Sequence, residues 1–253
     1  MSLINTMPPL PSRSVDMNAP FRWLQLGWKD FVRNPVPGLV HGLALALFGW
    51  VLVWAAGNRF WLLAGAFSGF MIVAPILSTG LYLVSRECAK GQCVGMGEVI
   101  RIWRSLDGRL IVFGLLLGLA ATGWVMTSAS LITALSPVPI QNPSDFLRHV
   151  VLSPTVGLFE TWLFLGGILA APMFASSVVA IPMLVDRPVG VREAVLASWN
   201  AVGLSPLPMA LWAVLIMVIT GLAMATALVG LLVAVPVLAH ASWHAYVELT
   251  DAA

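Results

Sequence analysis

His240 and His244 stand four residues apart, so on a helix they share one face, and His41 lies a turn inside a long apolar run. Imidazole binds haem iron, copper or zinc, and two rings at H-x3-H can hold one metal between successive turns. A third ring from another helix could complete the site. His240 and His244 are therefore the candidate metal ligands, and His41, His240 and His244 the candidate cofactor-binding set for haem or copper. The competing expectation is that these rings bond neighbouring carbonyls or snorkel to lipid headgroups, and that no cofactor is bound. Cys88 and Cys93 make a lone C-x4-C pair, a weak metal signal, and are expected as reduced thiols on the cytoplasmic side. No P-loop, nucleophile elbow or H-E-x-x-H pattern occurs, so no catalytic residue is assigned and an enzyme is not expected.

The elements that would position these rings follow from composition. The chain has 253 residues, 59% hydrophobic and only 9% charged, with a mean hydropathy of +0.93. A soluble domain carries about a quarter charged residues, so this chain cannot cover a water-facing surface. The net charge of +2 is too small to point to nucleic acid. The expected fold is an all-α membrane protein. Six stretches are long enough to cross the hydrocarbon as helices: 36–56, 60–85, 110–135, 156–185, 207–229 and 231–247. A hairpin near Gly230 separates the last two, since one helix through both would be far longer than a bilayer is thick.

Basic residues set the orientation. Arg13, Arg22, Lys29 and Arg33 precede the first stretch; Arg86, Lys90, Arg101, Arg104 and Arg109 lie between the second and third; Arg187 and Arg192 lie between the fourth and fifth. Only Arg59 and Arg148 fall on the other side. Both termini are thus expected in the cytoplasm. Residues 1–20, with Pro8, Pro9, Pro11 and Pro20 and no apolar core, read as a disordered cytoplasmic tail rather than a cleavable signal. Residues 21–250 form the transmembrane domain, and 136–155 an external loop insertion. Within that loop, Asn142-Pro143-Ser144-Asp145 can start a short helix running on through Val151, as a lid or a plug.

The chain also repeats itself. Trp28-Lys29-Asp30-Phe31-Val32-Arg33-Asn34-Pro35-Val36-Pro37 aligns without a gap on Trp199-Asn200-Ala201-Val202-Gly203-Leu204-Ser205-Pro206-Leu207-Pro208. Trp103-Arg104-Ser105-Leu106-Asp107-Gly108 offers the same layout without the prolines. The second, fourth and sixth stretches share Val73-Ala74-Pro75, Ala170-Ala171-Pro172 and Ala234-Val235-Pro236. Three parallel repeats are expected, each an amphipathic helix plus a helical hairpin, about an axis along the membrane normal. Phe21, Leu24, Trp28 and Phe31 mark the first amphipathic face, Val99, Trp103 and Leu106 the second, and Val191, Val195 and Val202 beside Trp199 the third. Such helices either lie in the interface or brace the bundle. Pro75, Pro172 and Pro236 are candidate helix hinges, or else packed kinks. Gly114 with Gly118, and Gly221 with Ala225, offer small faces for close helix contact. No ionisable residue sits at mid-span, which counts against a proton-coupled carrier.

The stretches from Phe70 to Tyr82 (FMIVAPILSTGLY), Ala180 to Arg187 (AIPMLVDR) and Pro236 to Tyr246 (PVLAHASWHAY) resemble a domain-of-unknown-function family (DUF2189) of predicted bacterial integral membrane proteins. The match is expected over nearly all of the chain after the tail. Members are sometimes labelled putative cytochrome c oxidase subunits. The resemblance implies a fold and a bacterial inner membrane, and no reaction. The leading functional expectation is a non-catalytic accessory, assembly or scaffold component, with the lipid bilayer and other membrane subunits as partners and no nucleic acid. The alternatives are a haem- or copper-binding redox or delivery protein using His41, His240 and His244, and a channel or carrier for a neutral or lipid-like solute.

Overall fold

The computed structural model describes residues 12–56, 78–92, 94–104, 107–153 and 157–252. Among them there is no strand. The helices are α1 (Ala19–Arg33), α2 (Pro35–Ala56), α3 (Thr79–Ala89), α4 (Met96–Arg104), α5 (Gly108–Leu135), α6 (Pro143–Phe146), α7 (Leu158–Ser177), α8 (Ala180–Asp186), α9 (Val191–Leu204), α10 (Pro206–Ala225) and α11 (Leu231–Thr250), with a π-helical turn at Leu147–Val151. Among the described residues four runs are long and apolar enough to cross a membrane: Pro35–Trp54, Gly108–Leu135, Leu158–Asp186 and Pro206–Ala225. They coincide with the first, third, fourth and fifth expected stretches. The second lies outside the described residues apart from its end at 78–85, and α11 covers the sixth. α11 is not among the four, because His240, Ser242, His244 and Glu248 fill its second half.

Side chains that water would expel line the outside of these helices. Leu115 is 69% exposed, Leu119 72%, Phe164 68% and Met217 64%. A monomeric soluble protein does not carry such a continuous apolar surface. Lipid is the solvent that suits it.

The prolines decide where helices begin. Pro35 and Pro206 lack the N–H that would continue the preceding helix, and each opens a new one at N1. The chain therefore breaks at Asn34 (φ −140°, ψ 73°) and at Ser205 (φ −137°, ψ 55°). Pro172 and Pro236 lie inside α7 and α11, and both helices continue on either side; Pro75 lies outside the described residues. The fourth stretch is interrupted by a turn between Ser177 and Ala180, and Pro182 sits in the first turn of α8. There the backbone N–H of Val179 donates to Ser198 Oγ at 3.1 Å. The hairpin near Gly230 is present as expected. Ala227 (φ 51°) and Leu228 (φ 68°) take left-handed backbone in the turn, and a Cβ on Gly230 would stand 2.7 Å from Ala223 Cα.

The described residues fall into two compact units. In the first (12–47, 78–113 and 174–252), α3, α8 and α11 pack on one another, while α1 lies on α11, α4 on α3 and α9 on α8. Glycine permits the closest of these contacts. A Cβ on Gly27 would stand 2.6 Å from Val237 O and 2.7 Å from Ala241 N, and one on Gly42 would stand 2.6 Å from Leu232 Cα. Gly118 and Gly221, expected as close-contact positions, have no described atom within 4 Å of a Cβ. The α1 face also differs from expectation: Trp23, Gly27 and Phe31 are buried, and Phe21 and Trp28 are exposed. Periodicity alone cannot separate an apolar sector facing protein from one facing lipid.

The approach to α1 is tied down from residue 13. Arg13 N donates to Leu249 O at 2.8 Å, Arg13 pairs with Asp251 at 2.6 Å, and Val15 N donates to Ser205 Oγ at 2.9 Å. Those bonds hold the last part of the expected tail beside the end of α11, and α1 begins at Ala19.

The second unit (48–56 and 114–173) has its own core of Ile132, Ile140, Val150 and Leu158, with Phe146, Phe159 and Trp162 against it. The loop helix forms where expected. Asn142 Oδ1 accepts from Asp145 N at 2.9 Å, and Asp145 Oδ2 accepts from Gln141 N at 3.0 Å, a reciprocal N-terminal cap. Ile140 and Val150 thus put the described part of the 136–155 insertion into this unit's core.

Candidate functional site

α11 places His240, His244 and Glu248 at successive helical turns, where they face α1 and α3. His240 is fully buried. Its Nδ1 lies 2.7 Å from Ser85 Oγ, on α3. Ser85 donates to Asp30 Oδ2, on α1, at 2.8 Å, and His244 Nε2 meets the same oxygen at 2.8 Å. The four side chains form one chain of hydrogen bonds joining α11, α3 and α1. An ionised carboxylate only accepts, so Ser85 spends its single proton on Asp30. His240 must then carry its proton on Nδ1 and donate to Ser85, which leaves Nε2 of the neutral ring as a lone-pair acceptor. That buried Nε2 has no hydrogen-bond partner among the described residues.

Asp30 is the only carboxylate in this chain of bonds. Burial pushes its carboxyl up, but the hydrogen bonds from His244 and Ser85 outweigh burial and hold it below the ordinary aspartate value. One turn further along α11, Glu248 accepts from Trp23 Nε1 at 2.8 Å and from Arg22 at 2.5 Å. Trp23 in turn meets Trp212 edge-on, with ring centroids 5.6 Å apart. The α1–α11 contact therefore carries two part-buried polar anchors, one on either side of the Gly27 close approach.

His41 is placed differently. Its Nδ1 is 2.7 Å from Pro37 O on its own helix, and its ring lies edge-on to Trp103 at 5.0 Å. The structure joins His240 and His244 in one network and gives His41 another setting. Among the described residues no group of three or more His, Cys, Asp or Glu side chains is placed to hold a metal ion. Cys88 is buried against Val84 and Val99, and Cys93 lies outside the described residues.

Sequence reasoning missed Asp30 and Ser85. Asp30 did carry a signal: it follows Trp23 by seven residues and Gly27 by three, so it shares their face of α1. Arg109 was also passed over. It donates to the carbonyls of Arg187 and Val189 at 2.8 Å each and of Leu184 at 3.2 Å. The Arg109 guanidinium beside Asp107 holds that carboxyl below the usual range.

An all-helical set of described elements, sheathed in apolar side chains around a network of hydrogen-bonded polar groups, defines a helical integral membrane protein. Residues 62–186 match the model of the family described as predicted integral membrane protein (DUF2189). The match is narrower than the resemblance implied, taking in Phe70–Tyr82 and leaving Pro236–Tyr246 outside. No curated protein and no solved structure matches the chain.

Proposed function

We propose that the protein is a non-catalytic, multi-pass component of a larger membrane complex, an accessory, assembly or scaffold subunit. In this reading it has six crossings and three repeats, with both ends on the cytoplasmic side of a bacterial inner membrane. The observation that carries the reading is a ring of contacts in the first unit. Asn34, at the first helix break, donates to Val94 O ahead of α4 at 2.8 Å. Arg109, just past the second break, donates to Val189 O ahead of α9. Ser205, at the third, accepts from Val15 N ahead of α1. Each repeat thus holds the lead-in to the next amphipathic helix, and the third hands back to the first. The bond between Arg13 and Leu249 supports termini on one side, which requires an even number of crossings.

The centre of that ring favours a scaffold over a channel. The helices α3, α8 and α11 pack on one another there, and Leu81, Val84, Ile181, Leu184, Ala241 and Tyr246 on them are buried. Isolation in mild detergent tests the proposal: a defined larger assembly of constant composition is expected. Recovery of the bare chain alone, from membranes never exposed to harsh detergent, would overturn it.

One observation favours a second reading, a haem- or copper-binding protein. His240 has Nδ1 bonded to Ser85 and Nε2 open, the arrangement in which a ligating imidazole is usually oriented. Against it, His244 uses Nε2 on Asp30. Absorption spectra and elemental analysis decide the matter. A haem band or stoichiometric copper, lost in His240→Ala, would establish this reading in place of the first.

A further inference from the structure

The aligned tryptophans Trp28, Trp103 and Trp199 are 50%, 39% and 48% exposed, although each opens onto a helix whose other face is buried. Lys29 and Arg104 directly follow the first two, and Arg192 lies two turns before Trp199 on the same side of α9; all three are exposed cations that make no ion pair among the described residues. The other cations of these helices are engaged: Arg22 with Asp16 and Glu248, Arg33 with the carbonyl of Cys88, and Arg101 with Glu98. On α1 the arrangement has three sectors, one packed on α11, one basic, and one apolar and exposed through Phe21, Trp28 and Val32. A helix that served only to brace the bundle has no use for the third sector.

Depth fixes what that sector meets. Trp28 precedes Pro35, and Trp199 precedes Pro206, by seven residues, or about 10 Å of helix. Both prolines open candidate membrane spans. Trp28 and Trp199 therefore lie within about 10 Å of where the spans begin, close to the level that indole rings prefer. An unpaired cation at that level meets phosphate. We propose that α1, α4 and α9 form a binding surface for anionic phospholipid headgroups, with Lys29, Arg104 and Arg192 taking the phosphates and the adjacent tryptophans seated among the acyl-chain ends. This rests on the membrane reading and on the equivalence of the three helices.

The test is native mass spectrometry of the full chain, released from nanodiscs holding equal amounts of phosphatidylcholine and phosphatidylglycerol. Retained phosphatidylglycerol is expected to exceed phosphatidylcholine, and the excess to fall at about 0.5 M salt, where exposed charges are screened. Each cation near an anionic surface is worth about a fivefold preference. The triple variant Lys29→Gln/Arg104→Gln/Arg192→Gln should therefore lose at least about fivefold of the excess. The salt response of the unaltered protein reads the same effect with no substitution. Equal retention of the two lipids, an unchanged triple variant, or cross-linking through Trp28→Cys to a second copy that covers the surface would overturn the proposal alone. Failure to enter bilayers of either composition would overturn the membrane reading as well.

Discussion

Asn34 and Ser205 adopt the same broken-helix backbone, φ −140°, ψ 73° and φ −137°, ψ 55°, at positions that the gapless alignment of Trp28–Pro37 on Trp199–Pro208 makes equivalent. Their side chains act alike too. Each bonds to the main chain of the segment leading into another amphipathic helix, Val94 in one case and Val15 in the other. Two breaks built from different residues and doing the same work are what the proposed repeat would leave behind.

If these bonds hold the ring closed, removing them should weaken the first unit in proportion to what each leaves unpaired. Asn34→Ala and Ser205→Ala each lose one side-chain bond, about 1 kcal/mol. Arg109→Ala strands three carbonyls and should cost about 2–3 kcal/mol, since bonds from a charged group are worth more. Apparent melting in detergent should fall by about 2–4 °C per kcal/mol for a chain of this size. An Arg109→Ala protein as stable as the unaltered one would mean that the contacts do not support the fold.

The Asp30 network should make stability depend on acid. With its carboxyl held below the ordinary value of 3.8, Asp30 favours the folded state fully above that pH. The contribution is lost as pH falls through the lower native value. The groups facing it are Ser85, His240 and His244. Asp30→Ala should cost about 1–3 kcal/mol near neutrality. The gap between variant and unaltered protein should then narrow steadily below about pH 4. Melting curves from pH 3 to 7 in one detergent would show this, and a gap that stayed constant across the range would refute it.

Much of the architecture was legible because hydropathy and proline are local signals. The first, third and fourth apolar stretches fall within two residues of the observed elements, and Asn142 starts its helix where expected. The fifth runs to Ala225 rather than Val229 because the chain turns through Ala227 and Leu228, residues with no turn signature of their own. The site was less legible. His240 and His244 could be paired by spacing, but Ser85 and Asp30 come from elements far along the chain, and only tertiary packing brings them together. Gly27 and Gly42 illustrate the same limit: a glycine's spacing shows that a close approach is possible, and the neighbour that makes it necessary is elsewhere in the sequence.

Glycine substitutions should separate those cases. Gly27→Ala places a methyl against the main chain of α11, which cannot move aside as a side chain could, so a loss of about 1–3 kcal/mol is expected. Gly203→Ala, in α9 with no described atom near a Cβ, should be neutral or gain up to about 1 kcal/mol from helix propensity. Thermal melting of the two variants side by side checks this. Equal effects would show that α1 does not approach α11 as closely as described.

The orientation can be read by labelling. In a background with Cys88 and Cys93 replaced by serine, single cysteines at Arg13, Ser144 and Asp251 report three points on the chain. Arg13 and Asp251 form an ion pair and so must lie on one side of the bilayer. Ser144, in the loop between α5 and α7, is separated from each end by an odd number of crossings in the six-span reading. A membrane-impermeant maleimide added to intact cells should modify Arg13→Cys and Asp251→Cys at least about tenfold less than Ser144→Cys, since the cytoplasmic positions should react only after the membrane is opened. Labelling of Arg13→Cys and Asp251→Cys on opposite sides would contradict the ion pair and the even number of crossings together. Labelling of both from outside, with Ser144→Cys protected, would keep the fold and invert the basic-residue assignment of its direction.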